Sequence, residues 1–128
     1  MDTRHPTPLL LVEDDVSLRR TLAQALGKRG FDVDEAGTVD QARRCLGDRE
    51  YEVIVTDLHL PGSGTEVIRA VRAEDGTTPL VVITADGRAE ARRRVTALGA
   101  DRVVRKPVGL ELLLREIEKA RQRDRDAS

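Results

Sequence analysis

The sequence predicts an α/β protein: a doubly wound sheet of five parallel strands with five helices packed on its two faces. Two observations predict it. Short apolar runs recur along the chain, and longer stretches of helical period separate them, so that a strand-then-helix unit occurs five times. Neighbouring parallel strands need a crossover, and right-handed helical crossovers cover both faces of the sheet.

Four of the predicted strands, Leu9 to Val12, Val53 to Val55, Leu80 to Ile83 and Val103 to Val104, are apolar at consecutive positions. That pattern belongs to strands covered on both sides. Phe31-Asp32-Val33-Asp34-Glu35-Ala36 alternates instead, as an edge strand with one wet face does. Leu18, Leu22, Ala25 and Leu26 form the stripe of a first helix, with Asp15 placed to cap it and Gly30 as its stop signal. Thr38-Val39-Asp40-Gln41 offers a capping box for a second helix that turns Ala42, Cys45 and Leu46 inward. Val67, Ile68 and Val71 mark the third. Ala91, Val95 and Leu98 mark the fourth, closed by Gly99. Leu110, Leu113, Leu114 and Ile117 form the core face of the fifth, and Leu112 lies off that stripe. One domain is expected over residues 7–121. Residues 1–6 and the polar stretch from 122 to 128 read as flexible ends, with the helix fraying after Ala120.

Composition narrows the function. With 128 residues there is enough chain for one domain and its core. A net charge of −1 argues against general attraction to nucleic acid or to a membrane surface. Phe31 and Tyr51 are the only aromatics, which excludes a stacking platform for bases or sugars. Cys45 is alone, so no internal disulfide forms, and on the apolar face of its helix it reads as an inert thiol. No apolar run has membrane-spanning length and no basic-then-apolar leader opens the chain. The expected location is the cytoplasm.

The chemistry lies where the strands finish. In an open parallel sheet, ligands sit beyond the carboxyl ends of the strands. The first strand runs into Glu13-Asp14-Asp15, the third ends in Asp57, the fourth in Thr84 and the fifth in Lys106-Pro107. Each has an ordinary structural reading when taken singly: a helix cap, a turn residue, a β-branched strand residue. Lys106 stands out, because the chain carries nineteen arginines and only three lysines. A compact ammonium reaches a single oxygen where a planar guanidinium does not fit. Together the groups converge on one edge. Three carboxylates repel one another unless a cation sits among them, and an all-oxygen donor set selects a hard ion such as Mg²⁺. A hydroxyl and an ammonium opposite that ion suit an incoming phosphoryl group, with Asp57 as the nucleophile that would form an aspartyl phosphate.

The segments "LLLVEDD", "VIVTDLHLPG", "VVITA" and "VVRKP", in that order and at this spacing, resemble the receiver domain of bacterial two-component response regulators. The resemblance implies a flavodoxin-like sheet of order 2-1-3-4-5. It implies that Asp57 is the phosphoacceptor, that Asp14 binds the metal directly and that Glu13 is the neighbouring acid, often engaged through water. It further implies that the backbone carbonyl of His59 completes the metal site, that Thr84 and Lys106 contact the phosphoryl group, and that the Lys106–Pro107 peptide is cis. Three positions depart from the family's pattern. Gly64 follows Asp57 one position sooner than usual, so the Pro61–Gly64 loop is short. Val103 stands where an aromatic commonly reports phosphorylation. Gly109 replaces the usual polar cap of the last helix.

The implied function is a signalling switch that accepts a phosphoryl group from a sensor histidine kinase onto Asp57 with Mg²⁺ and so changes its partner-binding surface. It would not be an enzyme beyond its own phosphorylation and dephosphorylation. Its partners would be the kinase and a downstream effector or output domain, with no direct nucleic-acid or membrane contact. It would be a monomer, or a weak dimer through the fourth helix, fifth strand and fifth helix. Arg88 and Arg92-Arg93-Arg94 read as solvated surface. A receiver-like interaction module that works without phosphorylation is the alternative. A phosphatase of the haloacid-dehalogenase type would want an acid two residues after the nucleophile, where this chain has His59.

Overall fold

A computed structural model describes residues 5–60, 64–74 and 76–127. Its strands are β1 (Thr7–Val12), β2 (Phe31–Ala36), β3 (Val53–Asp57), β4 (Leu80–Thr84) and β5 (Arg102–Arg105). Between and after them run α1 (Val16–Gly27), α2 (Val39–Asp48), α3 (Gly64–Glu74), α4 (Ala89–Leu98) and α5 (Leu110–Ala127). All strand pairs are parallel and the sheet order is β2-β1-β3-β4-β5.

Successive strand side chains point to opposite faces, and this divides the core in two. Leu9, Leu11, Val53, Val55, Val81, Ile83 and Val104 pack under α1 and α5. Leu10, Val12, Ile54, Leu80 and Val82 pack under α2, α3 and α4. Leu9 to Val12 are wholly buried, and each such side chain stabilises the fold by about 2 kcal/mol. The apolar residues therefore hold β1 in place without help from the carboxylates that follow it.

Local signals explain most element ends. Asp15 caps α1 by accepting the Leu18 N–H at 3.1 Å. The helix ends at Gly27, three residues before Gly30, which instead supplies the left-handed residue (φ +96°) of the turn into β2. Thr38 caps α2 through the Gln41 N–H, as its spacing predicts, but the Gln41 amide oxygen reaches back to the N–H of Gly37 rather than that of Thr38. Gly64 opens α3 directly against the Leu58 carbonyl, which a Cβ would overlap. The rest of the shortened loop, residues 61–63, lies outside the described residues. Gly99 closes α4 at φ +124°, and the Gly109 carbonyl accepts the Leu113 N–H at the start of α5.

The polar tail does not end the last helix at Ala120: α5 continues to Ala127. The run contains no glycine or proline, and its arginines and glutamine are good helix formers. Arg121 also anchors it, with Nη2 3.3 Å from Glu52 Oε1. No helix among the described residues is long and apolar enough to cross a membrane.

Candidate functional site

Strand register brings the predicted site together. Val12 pairs with Thr56, Asp57 with Ile83 and Thr84 with Arg105, so the residues at the three junctions stand side by side. The pleat that sends Leu11, Val55 and Val104 to the α1/α5 face carries on, two residues later, to Glu13, Asp57 and Lys106.

Asp57 is 2% exposed and its carboxylate is held from two sides. Oδ1 accepts the backbone N–H of His59 at 3.0 Å, and Oδ2 accepts from Lys106 Nζ at 3.0 Å. Lys106 Nζ also stands 2.9 Å from Glu13 Oε1, as an ion pair. Glu13 Oε2 accepts the Asp15 N–H at 3.0 Å. The Lys106–Pro107 peptide is cis, as the resemblance implies.

Three carboxylates thus face one ammonium. Glu13 and Asp57 are buried, Asp14 is exposed, and each offers an oxygen within 4.8 Å of the others. Burial pushes the Glu13 carboxyl up to about 7, helped by the Asp57 charge and opposed by the Asp15 N–H and the Lys106 ammonium. Burial works against the Lys106 charge, yet Glu13 and Asp57 outweigh it and hold the ammonium's pKa above its ordinary value. The site carries a surplus of negative charge that its own lysine does not balance. Oxygen donors in that number fit a hard divalent cation.

Thr84 is buried at the same edge, and its Oγ accepts the Asp86 N–H at 3.0 Å. The Lys106 N–H donates to the Thr84 carbonyl at 2.8 Å, tying the two residues together. His59 is exposed and its backbone N–H is the group that meets Asp57. Val103 is half-buried against the α2/α3/α4 face of the sheet. Cys45 is half-buried in the same layer.

Arg88 is paired with Asp86, which the guanidinium hydrogen bonds hold well below the usual carboxylate range. The arginines at 92, 93 and 94 are exposed. Two neighbours of the site carried no sequence signal. Asp86 lies in a loop with nothing to distinguish it, and Arg19, which donates to the Glu13 carbonyl, is one arginine among nineteen. A cavity of about 250 Å³ lined by Leu46, Tyr51, Ile54 and Val71 opens at the opposite end of the sheet and shares no residue with this cluster.

Comparison with known proteins identifies the family. The family model described as the response regulator receiver domain matches residues 9–118. The chain is 36% identical over 106 residues to the two-component response regulator PhoP of Pseudomonas aeruginosa, covering 82% of this chain and 47% of that protein. It is 34% identical over 108 residues to the transcriptional regulatory protein ResD of Bacillus subtilis, covering 84% and 45%. It therefore spans a little under half the length of either relative. The non-phosphorylated HemR receiver domain of Leptospira biflexa superposes with a TM-score of 0.83 at 30% identity, over 90% of this chain and 94% of that one. The family match, the sheet order and the relatives give one answer: the chain belongs to the response regulator receiver domain family.

Proposed function

We propose that this domain is a phosphoacceptor switch in which Asp57 takes a phosphoryl group from a histidine kinase with the help of Mg²⁺. The observation that carries the reading is the state of Asp57: a buried carboxylate held at both oxygens, 3.0 Å from a backbone N–H and 3.0 Å from a lysine ammonium. In the transfer, the P–N bond of the donor phosphohistidine breaks as an Asp57 oxygen bonds to phosphorus, and the imidazole leaves with the electron pair. The His59 N–H and Lys106 orient the attacking group and meet the charge on the transferred oxygens. Glu13, Asp14 and Asp57, with the His59 carbonyl, would hold the Mg²⁺, which supplies charge neutralisation between the carboxylates and the phosphoryl oxygens. Water later attacks phosphorus, releases phosphate and restores the carboxylate. The domain is thus its own substrate and not an enzyme acting on another molecule.

The added charge draws the Thr84 hydroxyl from the Asp86 N–H toward a phosphoryl oxygen, so the loop after β4 moves and biases the face formed by α4, β5 and α5. That face would meet a downstream effector, an output domain or, weakly, a second copy. Direct contact with nucleic acid or a membrane plays no part in the reading, and the cytoplasm is the compartment it requires.

Incubation with Mg²⁺ and acetyl phosphate should add one acid-labile phosphoryl group, seen by intact-mass analysis, to wild type and not to Asp57→Asn. Equal labelling of both proteins would remove Asp57 from its role. A wild type that stays unlabelled would favour an interaction module that works without phosphorylation.

A further inference from the structure

We infer that Arg19 is a positioning residue for the cation site, acting through the peptide that joins Glu13 to Asp14; the inference rests on the metal reading above. Arg19 lies in the second turn of α1 with its side chain only 15% exposed. Its guanidinium spans two anchors. Nη1 donates to the Glu13 carbonyl at 3.0 Å, and Nε donates to Glu35 Oε1 on the edge strand β2 at 3.0 Å. Gly37, just after β2, presses on the same group, since a Cβ there would stand 2.7 Å from Nη1.

The carbonyl that Arg19 holds belongs to the Glu13–Asp14 peptide. The Glu13 N–H is fixed by the Ala36 carbonyl at 2.9 Å, and its carboxylate is fixed by the Asp15 N–H. Asp14 has no such support: its exposed side chain has no hydrogen-bond or ion-pair partner among the described residues. Its carboxylate is therefore aimed by its backbone alone: Glu13 Oε2 holds the N–H of the peptide after it, and Arg19 holds the carbonyl of the peptide before it. A planar fork with donors on two edges can grip the carbonyl and Glu35 together, whereas a lysine ammonium at the end of a flexible stem presents no such fork. Groups that orient a metal ligand from behind typically change affinity by about 10–100-fold when removed.

Charge and position predict opposite signs, and this makes the inference testable. A cation beside a metal site repels the metal, so on electrostatics alone, loss of the Arg19 charge tightens Mg²⁺ binding. If Arg19 positions Asp14, the loss weakens it. The probe is Mg²⁺ alone, titrated into wild type, Arg19→Lys, Arg19→Gln and Gly37→Ala while the backbone amides of residues 13–15 and 57–59 are followed by NMR. Circular dichroism checks the fold of each variant. Arg19→Lys should bind about ten-fold more weakly than wild type although the charge is kept, and Arg19→Gln should also bind more weakly.

Gly37→Ala pushes the guanidinium aside without altering any charge or any residue of the site, and it should lose affinity in the same direction. Wild-type affinity in Arg19→Lys, or tighter binding in Arg19→Gln, overturns the inference and leaves the proposed function standing. Should the Arg19 variants not fold, Gly37→Ala decides alone: weaker binding supports the positioning role and unchanged binding removes it. A wild type that shows no Mg²⁺ response at all overturns the metal reading and this inference with it.

Discussion

Where the strands of this sheet begin, charges are matched; where they finish, they are not. At the first end, Arg72 donates to the Gly99 carbonyl at 2.8 Å, to the Thr78 carbonyl at 2.8 Å and to Asp101 at 3.2 Å. Asp101 in turn accepts the Leu80 N–H, so the starts of β4 and β5 and the ends of α3 and α4 share one network. Nearby, Arg49 joins Asp32 and Asp34, Tyr51 donates to Asp34, and Arg102 meets Glu116 at 2.6 Å. At the far end Glu13, Asp14 and Asp57 have one lysine between them. The same backbone thus carries a satisfied end, which stabilises, and an unsatisfied end, which is ready to bind. An imbalance of charge held in place by a well-packed sheet is the mark of a site.

The contrast breaks most sharply at Lys106. Lys106→Ala should abolish phosphorylation-dependent amide shifts, and Lys106→Arg should be nearly as damaging, because the guanidinium cannot enter the space between Glu13 and Asp57. Shifts that survive intact in the Arg variant would defeat the geometric argument. At the matched end the effect is on stability instead. Arg72→Ala leaves two carbonyls without their donor and should cost about 2–3 kcal/mol in urea unfolding. Asp14→Ala, by comparison, should leave the metal-free protein unchanged or slightly more stable, since it removes one repelling carboxylate. A loss as large as that of Arg72→Ala would show Asp14 to be structural.

The two ends should also titrate with opposite slopes. Glu13 is raised from 4.5 to about 7 in the folded chain, so between those values the folded state binds more protons than the unfolded state. Stability of the chelator-treated protein therefore falls as pH rises through that window. Glu116 is shifted the other way: burial opposes the shift, but Arg102 and Lys119 outweigh it and hold the carboxyl below its ordinary 4.5. Its contribution is present above 4.5 and is lost as pH falls through the folded value. Urea midpoints across pH should flatten in the upper window for Glu13→Gln and only in the acid limb for Glu116→Gln. Identical profiles for the two variants would erase the distinction.

The smallest effect concerns how far the signal travels. Val103 is short and nearly locked at χ1, so it has no ring to swing into space that Thr84 vacates. With beryllofluoride in place of the phosphoryl group, amide shifts should be large from Thr84 to Val95 and small from Leu112 to Ala120. Strong shifts throughout α5 would mean that Val103 does not dampen the relay.

Much of this was legible in the residues. The four apolar runs located β1, β3, β4 and β5 to within a residue or two; β3 and β4, buried at every position, have little latitude in composition, while in β5, the other edge strand, Val104 alone is fully buried. The wet alternation of Phe31 to Ala36 correctly placed β2 at an edge, and Leu112 is 42% exposed as its position off the stripe predicts. Ends were harder to read. Gly27 and Gly30 are both plausible stops, and only the turn into β2 chose between them. The polar tail of α5 looked like an end because no core face continues there, yet it kept helix by propensity and by the Arg121–Glu52 pair.

The sequence by itself determined which chemical groups arrive at the edge of the sheet, since a carboxylate following a buried strand has nowhere else to emerge. Tertiary structure decided what each group does there. Glu13 and Asp14 are neighbours in the chain, yet one is wholly buried and the other exposed. The difference comes from place along the strand: both faces of β1 are covered, and Glu13 follows Leu11 in the alternation onto the α1/α5 face, whereas Asp14, one residue further past the strand, is left uncovered. Arg19 shows the same limit from the other side. Nothing in its local sequence separates it from eighteen other arginines. It acquires a role because β2 pairs beside β1 and sets Glu35 and Gly37 against the guanidinium that holds the Glu13 carbonyl.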